Sequence, residues 1–168
     1  IMSLAVFARE GLNAAIIMGC GDAIAQLAIE QKPLKDYNVA RTARYCAIGF
    51  FICGPVLRKW YTKLDTLVSK DQPTFKRGMK KMLVDQTCFA PSFTLLLSYI
   101  VPLFNGERHT AIVQRIRNDY VSIMQRSFIL WPMAQVINFS LIPINYQVFY
   151  VQLIAVIWNC YLSMALNK

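Results

Sequence analysis

From Ser127 to Asn167 the chain has no Asp, Glu, Lys, Arg or His, a run of 41 residues without a charged side chain. That absence excludes an ordinary soluble domain, whose surface elements return to charged residues every few positions. Histidine is nearly missing as well. His109 stands alone, and a metal site built on imidazole needs further ligands. The cysteines, Cys20, Cys46, Cys53, Cys88 and Cys160, include no CxxC pair and no metal-type spacing. They read as small buried hydrophobes. No P-loop is present, and Gly19-Cys20-Gly21 lies in an apolar segment without the third glycine of a dinucleotide fingerprint. No nucleophile stands beside a base. The expectation is a protein that is not an enzyme and holds no metal or cofactor.

What is present is apolar and grouped in blocks. The chain has 168 residues, 56% of them hydrophobic, and a net charge of +9 that sits almost wholly outside the blocks. A membrane crossing needs about 20 mostly apolar residues for roughly 30 Å of hydrocarbon. The expected fold is all-α: a polytopic membrane helix bundle, one integral domain over 1–168, with four spans and a fifth over 148–166. The excess positive charge either faces anionic lipid head groups or draws anionic solutes into a vestibule. No basic helix or aromatic–basic module points to nucleic acid. Ile1 ahead of Met2 reads as an appended or truncated start, and no signal peptide is legible.

The first block runs from Leu12 to Ile29. Ala15, Gly19, Asp22 and Gln26 share one helical face, with Ile17 and Ile24 on the opposite one. Small residues let helices approach closely in a membrane, so this face should turn into the bundle. A carboxylate at mid-span costs about 2.5–3.5 kcal/mol and needs a partner. Asp22 is therefore either structurally paired, with Arg41 or Arg44 in reach, or part of a solute path. A polar loop over 30–44 follows, and a short second block, 45–57, closes on Gly54-Pro55, where the helix should bend or break. Residues 58–81 hold eight cations, among them Arg58, Lys59, Lys63, Lys76, Arg77, Lys80 and Lys81, beside Trp60. Leu57, Tyr61, Leu64 and Val68 keep helical spacing, which predicts an amphipathic helix at the membrane surface against anionic lipid.

The third block, 82–104, takes in Asp85-Gln86 and is interrupted by Pro91. Asp85 either snorkels to the interface, meets Lys80 or Lys81, or lines a path. A loop over 105–119 leads into the uncharged stretch. There Trp131-Pro132 should kink the fourth span, and Pro143 separates it from the fifth. Gln135 and Asn138 lie three apart, one turn past the kink, and can exchange hydrogen bonds with a solute or a neighbouring span. The six polar residues Asp22, Gln26, Asp85, Gln86, Gln135 and Asn138 form the expected solute path; the alternative is a non-conducting scaffold.

Gly21-Asp22 with Gln26, Gly54-Pro55 with Trp60-Tyr61 and Leu64, and Asp85-Gln86 with Pro91 form an ordered set of motifs. Trp131-Pro132, Gln135, Asn138-Phe139, Pro143, Trp158-Asn159 and Tyr161-Leu162-Ser163 continue it. The whole set resembles the Mpv-seventeen family, which includes the 22-kDa peroxisomal membrane protein, and Ala155-Val156-Ile157-Trp158-Asn159 is most similar to its mitochondrial branch. The resemblance implies a polytopic protein of the mitochondrial inner membrane, with the peroxisomal membrane as the alternative. It implies a channel for a small, anionic or other, solute, tied to mitochondrial DNA maintenance and the nucleotide pool. The partners expected are lipid, solute and further copies of the chain. The family usually has Arg shortly after the proline of the Asn-Phe-to-Pro motif. This chain has Gln147 there, so an anion-binding role for that Arg does not carry over. Ser127-Phe128 likewise replaces the usual Asn and aromatic ahead of Trp-Pro.

Overall fold

The computed structural model describes residues 3–71 and 73–166, with side chains as far as Tyr161. Ile1, Met2 and the side chains of the Leu162-Ser163 motif lie outside the described residues. Every regular element among the described residues is a helix. Ser3 Oγ accepts from the Val6 amide and starts α1, Leu4–Ile24, which continues through a π-helical turn, Ala25–Ile29. After a 3₁₀ turn, Leu34–Asp36, Asn38 caps α2, Val39–Ile48. A second π turn, Gly49–Cys53, joins α2 to α3, Gly54–Leu67. Next come α4, Thr74–Val84, a third π turn, Asp85–Phe89, and α5, Ala90–Phe104. The last two helices are α6, His109–Leu141, and α7, Gln147–Leu166.

Several boundaries differ from the sequence reading. The polar stretch after Pro33 turns helical at Val39, because the Asn38 side chain accepts from the Arg41 amide and supplies an N-cap. The stretch read as a loop over 105–119 is helical from His109. Ile112, Ile116 and Tyr120 fall on one face there, Ile112 is fully buried, and the Tyr120 hydroxyl donates to the Pro91 carbonyl at 2.8 Å. Pro55 and Pro91 do not end their helices. Each follows a π turn that contains the residue four positions back, Phe51 or Thr87, whose carbonyl a proline ring would otherwise strike. Pro102 and Pro132 lie inside α5 and α6, which are α-helical on both sides of them. Leu57, Tyr61, Leu64 and Val68 are buried. Their stripe packs against protein, so the expectation of a lipid-facing apolar face on that helix is corrected.

The chain divides into two compact units, one running up to Thr62 and resuming at Ile144, the other Lys63–Pro143. In the first, α1 packs against α2, the second π turn and α7. Close approach is built into the sequence: a Cβ on Gly49 would lie 2.6 Å from the Ala14 carbonyl oxygen, and one on Gly54 would strike the Glu10 carbonyl. In the second unit α4 and α5 pack against α6.

Polarity is inverted relative to a water-soluble bundle. On α1 the buried residues include Glu10, Gly11, Ala14, Ala15, Gly19 and Asp22, followed by Gln26 on the π turn. Leu12, Ile16, Ile24 and Leu27 are exposed. Ile17, read as outward, is buried. On α6, Gln135 and Asn138 are buried while Ile129, Met133 and Leu141 are exposed. Buried polar residues under an apolar exterior are what hydrocarbon selects. Two continuous helices, Leu4–Ile29 and Thr74–Phe104, are long and apolar enough to cross a membrane, and Gln147–Tyr161 is a shorter apolar helix.

Candidate functional site

Each unit holds one buried carboxylate of its expected path residues, and the two are solvated differently. In the first unit Asp22 sits on the small-residue face of α1. Its Oδ2 accepts from Gln26 Nε2 at 2.8 Å and from the Thr42 hydroxyl at 2.6 Å. Arg41 Nε lies 2.7 Å from Oδ1, an ion pair that is not aligned as a hydrogen bond. Gln26 is fully buried. Its oxygen accepts from the Asn38 amide at 2.8 Å, and its Nε2 also reaches the Asn38 carbonyl and Thr42 Oγ1, both at 3.1 Å. Tyr37 and Thr42 hydroxyls are 2.7 Å apart. The N-cap that starts α2 thus also delivers Arg41 and Thr42 to the carboxylate.

In the second unit Asp85 opens the third π turn, with 1% of its surface exposed. Gln86 Nε2 and Gln135 Nε2 each donate to Asp85 Oδ2 at 3.0 Å, and Asn138 Nδ2 donates to Gln135 Oε1 at 2.9 Å. The structure therefore joins Asp85, Gln86, Gln135 and Asn138 in one buried cluster, and Asp22 with Gln26 in another. Asp85 does not snorkel to a surface. Gln86 Oε1 is buried without a hydrogen-bond partner.

The cations of 58–81 divide into two classes. Arg58 Nη1 donates to the Ile144 carbonyl at 2.6 Å, Nη2 donates to Asn145 Oδ1 at 3.1 Å, and Glu10 Oε1 lies 3.9 Å away. Arg77 Nη2 and Lys81 Nζ reach Asp65 Oδ1 at 2.7 and 2.6 Å, and Lys81 is buried. Burial alone would raise the Asp65 carboxyl. The hydrogen bonds and charges of Lys81 and Arg77 outweigh it and hold the carboxyl below its ordinary range. Lys59, Lys63, Lys76 and Lys80 are exposed, and Trp60 is half-buried. Lys70 is exposed as well, and this second class is the one open to solvent.

Four other buried polar residues, Glu10, Ser127, Gln147 and Gln152, carried no expectation of burial. Glu10 is fully buried, with Arg9 Nη2 at 2.7 Å from Oε1 and with Oε2 unpartnered. Its signal was partial: Glu10 precedes the small residue Ala14 by one turn. Gln147 and Gln152 of α7 are also buried. They sit five apart, which one-face spacing rules do not pick out. Among the described residues no three metal-ligating side chains come together.

Residues 102–163 match the Mpv17 / PMP22 family. Over 98% of both chains, the sequence is 47% identical to "Mitochondrial inner membrane protein Mpv17" of Drosophila melanogaster. It is 40% identical to the protein of that name from Danio rerio and 36% identical to the one from Homo sapiens, each over 94% of this chain and 88% of the relative. No solved structure matches the chain.

Proposed function

The chain belongs to the Mpv17 / PMP22 family and is a mitochondrial inner-membrane protein, and from that premise we propose that it is a small-solute channel or transporter serving mitochondrial DNA maintenance and the nucleotide and metabolite pools. The observation that carries the reading is the pair of buried carboxylate clusters on the two helices that are apolar and long enough to cross a membrane. Ionisable groups at membrane depth are costly, and solute and ion paths are where such groups are used. The helices from Leu4, Val39, Thr74 and His109 supply four crossings in this proposal, and α7 supplies the fifth. Two of the three π turns carry path residues, Gln26 on the first and Asp85 with Gln86 on the third, and such non-α backbone is tolerated where a helix lines a cavity.

A non-conducting scaffold is the second reading, favoured by the ion pair that Arg41 makes with Asp22. Reconstitution of the purified chain in a planar bilayer separates the two. Under the channel reading the parent conducts. Gln135→Leu with Asn138→Leu then inserts and assembles normally, because membrane hydrogen bonds average only about 0.6 kcal/mol each, but its conductance or selectivity changes. A parent protein with no conductance and no solute flux supports the scaffold. A double variant that conducts like the parent places the path away from the amides.

A further inference from the structure

Gln31 is the one non-glycine among the described residues with a left-handed backbone, at φ 51°. Such a conformation is disfavoured for a residue with a side chain and persists where neighbouring contacts over-determine it. The backbone supplies them: the Lys32 amide donates back to the Gln26 carbonyl at 3.0 Å, the usual left-handed closure of a helix end, and it leaves the side chains of Glu30 and Lys32 adjacent. Glu30 Oε2 lies 2.8 Å from Lys32 Nζ, and Glu30 Oε1 accepts from Arg41 Nη1 at 2.7 Å. The Glu30 carboxylate therefore sits between two cations, with one oxygen on each.

Arg41 is fixed independently of Glu30. Its Nε meets Asp22 at 2.7 Å, and its guanidinium lies over the Tyr45 ring, 5.9 Å from the centroid. The inner edge of the guanidinium is committed to Asp22, while the Nη1 edge faces outward. The three outer side chains are partly open to solvent, Arg41 at 23%, Glu30 at 30% and Lys32 at 34%, whereas Asp22 is at 0%. Removing Glu30 would leave a fixed guanidinium edge and a lysine ammonium converging on one accessible point. That is the donor set that holds phosphates and carboxylates. Burial would raise the Glu30 carboxyl, but Lys32 and Arg41 hold it below the usual carboxylate range, so at neutral pH it is an anion.

We propose that Arg41 and Lys32 form a surface site for a phosphate or dicarboxylate dianion, and that Glu30 is a resident carboxylate which the dianion displaces. Because Glu30 is tethered, it lowers the apparent affinity by the fraction of time it occupies the site. Conduction is not required for this binding, so the site stands or falls separately from the channel.

The test uses the full chain in phosphatidylcholine nanodiscs, titrated calorimetrically with inorganic phosphate and, separately, with succinate. Glu30→Gln tightens binding of at least one of the two about tenfold or more, the factor expected if Glu30 fills the site nine-tenths of the time. Adding Lys32→Gln removes that gain. Glu107→Gln is the control. It deletes the same charge from the surface pair that Glu107 makes with Arg115, and it leaves affinity unchanged. Discs containing phosphatidic acid identify the source of the anion. If soluble phosphate still binds Glu30→Gln there, the ligand is a free solute; if phosphatidic acid blocks it, the ligand is a lipid phosphomonoester. The proposal is overturned if Glu30→Gln binds no more tightly than the parent. It is also overturned if Glu107→Gln gives the same gain, or if the gain survives Lys32→Gln.

Discussion

Asp22 and Asp85 pose the same problem in two places and are met by different chemistry. Both are carboxylates buried on a helix fit to cross a membrane. Asp22 is answered by a guanidinium, an amide and a hydroxyl, all gathered by the turn that starts α2. Asp85 Oδ2 is answered by two side-chain amides, one adjacent in sequence and one fifty residues on. A guanidinium cancels charge. An amide offers a dipole and brings an acceptor oxygen with it. The first arrangement is locked by electrostatics, and the second keeps a polar surface that can rearrange. Under the channel proposal the amide cluster is the better candidate for contact with a solute, and the ion-paired cluster the better candidate for pinning the fold.

The largest expected effect is at the pinned site. Arg41→Met leaves Asp22 buried and uncompensated, and removing one partner of such a pair costs about 3–5 kcal/mol. Unfolding of the detergent-solubilised protein by heat or by denaturing detergent measures it. Pairing the change with Asp22→Asn should restore much of the loss. An Arg41→Met protein as stable as the parent would mean that the charge of Asp22 is met elsewhere, and the contrast with Asp85 would collapse.

Asp85→Asn should cost less. It preserves shape and an acceptor for Gln86 and Gln135, and the difference between a charged and a neutral hydrogen bond is about 1 kcal/mol. The same unfolding experiment decides. A loss as large as that of Arg41→Met would show that full charge, rather than amide dipoles, holds Asp85 in place.

The smallest effect concerns Asp65, a half-buried carboxylate at the polar end of α3, outside the two helices long and apolar enough to cross a membrane, and bound to Arg77 and Lys81. Its folded carboxyl titrates below the ordinary carboxylate value, so its contribution to stability is complete above that value. The contribution is lost as pH falls through the lowered folded value, and Lys81 is then buried beside a neutral acid. Asp65→Asn should be less stable than the parent at neutral pH, and the two should converge as the medium is acidified below the carboxylate range. A difference that stays constant with pH would assign the effect to packing.

The small and polar face of α1 was legible because helical spacing and insertion cost point the same way at Ala15, Gly19, Asp22 and Gln26. Gln135 and Asn138 were legible as one face by the same rule. Asp85 was placed in the same expected path, but its direct bond from Gln135 was not legible, since no local rule connects residues 85 and 135. The stripe of Leu57, Tyr61, Leu64 and Val68 was read with the right period and the wrong neighbour: an amphipathic face packs on lipid or on protein by the same pattern. Arg58, Arg77 and Lys81 escaped for a related reason. Sequence counts charges, and only the fold shows which have already met a carboxylate or a carbonyl. Pro55 and Pro91 announced a departure from α-helix, but a wider turn and a break look alike before the backbone is seen.

Arg58 holds the Ile144 carbonyl and Asn145 while standing beside Glu10, and so joins three distant parts of the chain. The unit it closes is discontinuous, because it needs the first 62 residues and everything from Ile144 on, whereas Lys63–Pro143 is one unbroken piece. Order of assembly follows from that connectivity. The middle piece can complete its own contacts as soon as it is delivered to the membrane, at low loop-closure cost. The flanking piece waits for the last helix, and until then Glu10 and Arg58 lack the carbonyl and amide that finish the junction. A chain ending before Ile144 therefore keeps every residue of its middle piece and lacks the contacts that close its outer one.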